Sequence, residues 1–184
     1  MIRALAVFLL LGVSSAQASE ALWALLKGGG QVVLIRHTIT TPGVGDPPGF
    51  RLDDCATQRN LTDEGRNHAK RIGEAFRARG IPVERVLSSP WCRCIETAKL
   101  AFGKSDGLSA ALGNLFGRPE NREKQVEQMK GLVSVRPKSG NLVLVSHGST
   151  IVALTGISPD TGEMVVVTPQ GGGKFAVAGR LGVN

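Results

Sequence analysis

Residues 31–37 read Gln31-Val32-Val33-Leu34-Ile35-Arg36-His37. A continuous aliphatic run without polar alternation is a strand buried on both faces, the pattern of a central parallel strand covered by helices. Asn141 to Ser146 (NLVLVS) repeats the pattern and leads into His147, and Val83 to Ser88 forms a third strand that runs through Ser89-Pro90 towards Arg93. Helical stretches alternate with these strands. Thr62 caps a helix to about Arg79, with Ala69, Ile72 and Phe76 on one face and Gly80 at its end. Ser19 to Lys27 is predicted as a short helix stopped by Gly28-Gly29-Gly30, and Trp91 to Ala101 as another. Pro119 to Ser134 carries Val126, Met129 and Val133 on one side, and Thr150 to Thr155 is short. Glu163 to Thr168 and Lys174 to Arg180 are predicted strands joined by Gly171-Gly172-Gly173. This order predicts an α/β fold, a three-layer α/β/α sandwich with an open, mostly parallel sheet, whose ligand site lies at the carboxyl ends of the strands.

The chain has 184 residues, 20% charged and 42% hydrophobic, which suits one domain with a single core and excludes disorder. The 24 glycines have no three-residue period, and no internal repeat is visible. A formal charge of +7 favours anionic partners. With no Tyr, two Trp, six Phe and no run of consecutive cations, a nucleic-acid surface is disfavoured.

Residues 1–18 read as a cleavable export signal: Met1-Ile2-Arg3 is a basic start, Ala4 to Val13 an apolar run, and Ala16-Gln17-Ala18 a small-residue cleavage pattern. The run is too short for a stable membrane span, which needs about 20 apolar residues. The expectation is a domain over residues 19–184, periplasmic or secreted after cleavage following Ala18. Cys55, Cys92 and Cys94 then give one disulfide and one free thiol, with Cys55 bridged to Cys92 or Cys94.

Three predicted strands end in chemistry: Arg36-His37, Ser88-Ser89-Pro90 before Arg93, and His147. Converged, two imidazoles and two guanidiniums form a pocket for a phosphoryl group, since guanidiniums bind its oxygens bidentately and a neutral imidazole is a nucleophile near pH 7. Such phosphoryl transfer needs no metal or other cofactor. A three-histidine metal site is disfavoured, because His68 belongs to a helix face with Ala69, Ile72 and Phe76, and no carboxylate stands at ligand spacing beside His37 or His147. Arg51 and Arg59 adjoin the Gly- and Pro-rich segment 38–60 and either attract an anion or simply stay solvated.

Arg36-His37, Arg93 in SSPWCRCIETA and His147 in LVLVSHGST, with Asn60-Leu61-Thr62-Asp63-Glu64-Gly65 and Thr97-Ala98, resemble the histidine phosphatase superfamily, the phosphoglycerate mutase-like enzymes. The resemblance spans essentially all of residues 19–184. It implies that His37 is the phosphorylated nucleophile, that Arg36 and Arg93 grip the phosphate, and that His147 holds it from the other side. Two departures stand out. Thr38 occupies a place where many relatives have Gly, and Asn114 stands where the mutase branch has its acidic proton donor. An amide cannot protonate a leaving alkoxide, so Glu120, Glu123 and Glu163 are the candidate donors, Glu163 first. Thr38 and Asn114 are candidates for substrate binding. Gly148, directly after His147, differs from the phytase and acid phosphatase branch, which has an acid there.

The expected function is an exported phosphatase acting on a phosphorylated small molecule or envelope component through a phosphohistidine on His37. The alternative is a catalytically weak relative that binds phosphate or a phosphorylated envelope component.

Overall fold

The structure, a computed structural model, describes residues 15–183. Most of the segment expected to be an export signal, residues 1–18, therefore lies outside the described residues. A six-stranded sheet runs β3-β2-β4-β1-β5-β6, with β1 Val32–Arg36, β2 Val83–Ser88, β3 Gly107–Leu108, β4 Asn141–Ser146, β5 Met164–Gly171 and β6 Lys174–Leu181. The pairs β3·β2, β2·β4 and β4·β1 are parallel, whereas β5 is antiparallel to both β1 and β6.

Among the described residues five α-helices cover the two faces: α1 Ser15–Lys27, α2 Asp63–Ala78, α3 Cys92–Phe102, α4 Arg122–Val133 and α5 Gly148–Thr155. Alternation along the strands divides the core between them. Val33, Ile35, Val143, Val145 and Val166 face α1 to α3 through Leu26, Ile72, Phe76 and Ala98. Val32, Leu34, Leu144, Val165 and Val167 face α4 and α5 through Met129, Val133 and Ile151. Both faces of β1 and β4 are thus buried, which is why their sequences lack polar alternation. The predicted three-layer architecture is the observed one.

The boundaries differ in ways with local causes. α1 begins at Ser15, so the helix runs across Ala16-Gln17-Ala18 before the expected start at Ser19. The segment Pro119–Asn121 is a 3-10 turn ahead of α4, and α5 starts directly after His147 rather than at Thr150. β3 was not expected: two residues carry no periodicity to read. Among the described residues no helix is long and apolar enough to cross a membrane.

Two glycines on α2 permit close backbone approach. A Cβ at Gly73 would stand 1.9 Å from the Ala101 carbonyl oxygen of α3, and one at Gly65 would stand 2.0 Å from that of Ile39. Both neighbours are backbone and cannot swing away. Gly73→Ala must push α2 off α3, and urea unfolding should show a loss of about 3 kcal/mol, at the upper end for overpacking. An unchanged midpoint would mean that the two helices separate freely.

Candidate active site

The site follows from register. Arg36 pairs with Ser146 across the parallel β1·β4 ladder, and the His37 N–H donates to the Ser146 carbonyl at 2.9 Å. Two adjacent strands therefore end together and deliver His37 and His147 side by side, ring centroids 5.3 Å apart. Ser88 of β2 pairs with Val145, and the Ser89 N–H donates to Val145 at 2.9 Å, so the third strand end delivers Ser89, Trp91 and Arg93 to the same place. A cavity of about 560 Å³ opens there. Its lining includes Arg36, His37, Arg59, Arg93, Arg122 and His147, with Asn114 and Ser149 beside them.

His37 is buried, and its Nδ1 lies 2.9 Å from the Thr38 carbonyl oxygen. A carbonyl only accepts, so Nδ1 carries the proton and the neutral ring keeps its lone pair on Nε2. Burial pushes the His37 pKa down to about 3; the bond to Thr38 opposes this, while the charges of Arg93, Arg36 and Arg59 add to it. His147 is held neutral in the same way, by burial first and then by His37 and Arg93. Its Nε2 sits 2.8 Å from Ser89 Oγ and 3.5 Å from Cys94 Sγ, while Nδ1 is buried without a partner.

Arg93 is 1% exposed and Asp46 3%. Asp46 grips the end of that guanidinium, Oδ1 to Nη1 at 2.6 Å and Oδ2 to Nη2 at 3.1 Å. The Trp91 indole N–H and the Arg59 backbone N–H also donate to this carboxylate, at 3.0 and 3.1 Å. Although burial works against ionisation, these donors together hold Asp46 below the usual carboxylate range. Arg93 keeps Nε without a partner. Among the described residues six buried side-chain polar atoms lack a partner, and four of them belong to the cavity: Arg36 Nε, Arg59 Nε, Arg93 Nε and His147 Nδ1. Buried donors are normally satisfied, so four in one cavity mark an anion site. The α5 N-terminus adds the positive end of a helix at Gly148 and Ser149.

The remaining candidates divide. Thr38 is buried behind His37, its N–H and Oγ1 each 3.3 Å from Thr97 Oγ1, so it supports the backbone next to His37 instead of lining the cavity. Asn114 does line it. Its Oδ1 accepts from Phe116 N–H at 3.1 Å and from Ser149 Oγ at 2.8 Å, which leaves the amide N–H groups for the cavity. Glu163 lies elsewhere, and this corrects the expectation of a donor there. Its backbone carbonyl accepts from Arg36 N–H at 3.1 Å, but its carboxylate turns away into a two-bond pair with Arg180 at 2.8 and 2.6 Å, which lowers its pKa. Glu120 and Glu123 line a different groove. Among the described residues no carboxylate lines the cavity itself. Arg59 does, whereas Arg51 pairs with Asp53 and Asp54 at the surface, and His68 donates to the Val183 carbonyl at 2.8 Å away from the site.

Cys55 bonds to Cys92, with Cα atoms 5.7 Å apart, while Cys94 is free and buried, its thiol pushed up to about 12 by burial. The bridge ties segment 38–60 to the start of α3, next to Arg93. Closing its 37-residue separation restricts the unfolded chain by about 4 kcal/mol in the chain-entropy view. Asp46 was missed by sequence reasoning. Its only signal was being one of three acids in a loop facing a basic pocket, and nothing local separates it from Asp53 and Asp54. Among the described residues no group of three or more His, Cys, Asp or Glu side chains could hold a metal ion.

The family model of the histidine phosphatase superfamily (branch 1) matches residues 32–115. The fold resembles the protein histidine phosphatase SixA solved with tungstate, at 17% identity over 83% of this chain and 96% of that one, TM-score 0.59. It also resembles the product of the open reading frame Rv3214 from Mycobacterium tuberculosis, at 19% identity, 84% and 97% coverage and TM-score 0.59. A phosphoserine phosphatase from Entamoeba histolytica, solved with 3-phosphoglyceric acid, matches at 13% identity, 84% and 98% coverage and TM-score 0.59. No curated protein matches in sequence.

Two outcomes follow from this geometry. Asp46→Ala leaves a buried guanidinium without its counter-charge, so denaturant unfolding should show a loss of about 3 kcal/mol, and inorganic phosphate should restore part of it. Long-range ¹⁵N–¹H spectra of the imidazoles should show His37 neutral with the proton on Nδ1 down to about pH 4. Because its folded pKa lies below the unfolded value, His37 costs stability as pH falls from about 6.5 towards 3. A His37 ring that protonates near pH 6.5 would contradict the site described.

Proposed function

The chain belongs to the histidine phosphatase superfamily, and from that premise we propose that it is an exported phosphatase whose nucleophile is His37. The observation that carries the reading is the pairing of one unprotonated nitrogen, His37 Nε2, with four unpartnered N–H donors around the same cavity. A phosphomonoester would place its phosphorus against Nε2 and its oxygens among Arg36, Arg93 and His147. Attack forms the N–P bond, and the ester P–O bond breaks with its electron pair leaving on oxygen. The guanidiniums are fixed before the reaction and meet the charge that builds on the equatorial oxygens. Water then attacks the phosphohistidine, the N–P bond returns its electrons to Nε2, and dihydrogen phosphate leaves with both of the water's protons. His147, neutral and backed by Ser89, donates from Nδ1 to the phosphoryl group.

The Nδ1 bond to Thr38 does two things here. It fixes the ring so that Nε2 faces the cavity, and it accommodates the positive charge that the ring acquires on phosphorylation. The proposal extends to cleavage after Ala18, leaving residues 19–184 as a periplasmic or secreted domain. The Cys55–Cys92 disulfide supports it, since such bonds persist outside the reducing cytosol. A phosphate-binding protein would use the same donors, and turnover separates the two.

Hydrolysis of para-nitrophenyl phosphate with chelator present should vanish in His37→Ala and fall about 100-fold in Arg93→Ala, the effect of losing one preorganised donor. Turnover unaffected by His37→Ala would remove the phosphohistidine. Protein recovered from the periplasm of an expressing bacterium should begin at Ser19, and an intact Met1 there would overturn the export reading.

A further inference from the structure

The cavity holds more cations than one phosphoryl group uses and no group that could protonate a leaving alkoxide. Arg36, Arg93, His37 and His147 account for the transferred phosphoryl. Arg59 and Arg122 line the same cavity and remain. Arg59 is half-buried, with Nη1 donating to the Gly43 carbonyl and Nε unpartnered, and beyond burial the charges of Arg93 and Arg36 act against its own while Asp46 supports it. Arg122 stands exposed in the first turn of α4. A cluster of like charges is costly unless an anion of matching charge spans it. At the rim are Val44, 84% exposed, and Phe116, 58% exposed. The volume of about 560 Å³ leaves room well beyond one phosphate.

Taken with the phosphatase reading, on which this rests, we propose that the substrate is an organic diphosphate: His37 takes the terminal phosphoryl group, Arg59 and Arg122 hold the departing phosphate, and Val44 and Phe116 receive the organic part. In the first step the N–P bond forms at His37 Nε2 and the bridging P–O bond breaks. Its electron pair stays on the bridging oxygen, so the leaving group is a monophosphate anion. That anion is stable in water without a proton, its second pKa being about 6. An alkoxide is not, and Asn114, in the place of an acid, offers only amide N–H groups that suit an anion. The step is complete without a general acid, which matches a cavity lined by none. Water resolves the phosphohistidine as before.

The test compares geranyl diphosphate with geranyl monophosphate, which share the organic part, alongside para-nitrophenyl phosphate. Wild-type kcat/KM should favour the diphosphate by about 100-fold, the usual worth of the general acid that the monophosphate needs. Arg59→Gln and Arg122→Gln should each reduce diphosphate turnover about tenfold more than para-nitrophenyl phosphate turnover, as loss of a charged hydrogen bond does. Equal rates on the two geranyl substrates, with His37 still labelled, would sink the diphosphate assignment and leave the phosphatase reading standing. Preference for an acyl phosphate or phosphohistidine peptide, indifferent to both Arg variants, would sink it too. Absence of both turnover and His37 labelling with every substrate would bring down the phosphatase reading itself.

Discussion

A buried guanidinium requires a counter-charge, and the way Arg93 finds one organises the functional end of this molecule. Arg93 cannot reach solvent, so Asp46 must come to it, and Asp46 sits in a glycine- and proline-rich segment with no regular structure of its own. Once the carboxylate is seated, Trp91 and the Arg59 backbone bind it as well, and the surrounding loop becomes a wall of the cavity. The fork is occupied end-on, leaving the Nε edge of Arg93 free for an anion. Charge compensation thus occupies one end of the guanidinium and leaves the Nε hydrogen unclaimed.

Burial first, and the same positive field after it, decides the state of the imidazoles. Three arginines near two buried rings make an imidazolium unfavourable, and a ring that cannot protonate keeps its lone pair available. Cys94 beside His147 feels desolvation more than it feels Arg93, and stays a thiol. The neutral state of these rings is a property of the surroundings rather than of histidine chemistry alone.

The fold was legible where the signal was local. Unbroken aliphatic runs identified β1 and β4, and 3.6-residue spacing identified α2. Arg36, His37, Arg93 and His147 could be grouped because strand ends converge in such sheets. What escaped depended on distant geometry. Cys92 and Cys94 lie two positions apart on α3, roughly 200° around the helix, so only one can face the loop; the sequence does not say which. Glu163 was near the site along the chain and its backbone touches Arg36, yet it precedes β5 at the sheet's end and its carboxylate points to Arg180. Asp46 became visible only when the loop was folded.

The sheet's two margins bear on a different property, how the molecule behaves among its own copies. One margin ends in β3, only two residues long, which leaves another chain little backbone to pair with. The other, β6, is eight residues long, but its register with β5 slips between Val166 and Val167, and it carries Lys174 and Arg180 near its ends. A neighbouring strand would meet a kinked ladder, with positive charge at Lys174 and an Arg180–Glu163 ion pair near the other end. The unbroken aliphatic strands β1 and β4 are thereby flanked on both sides, and neither margin of the sheet offers a long regular edge for another strand to join.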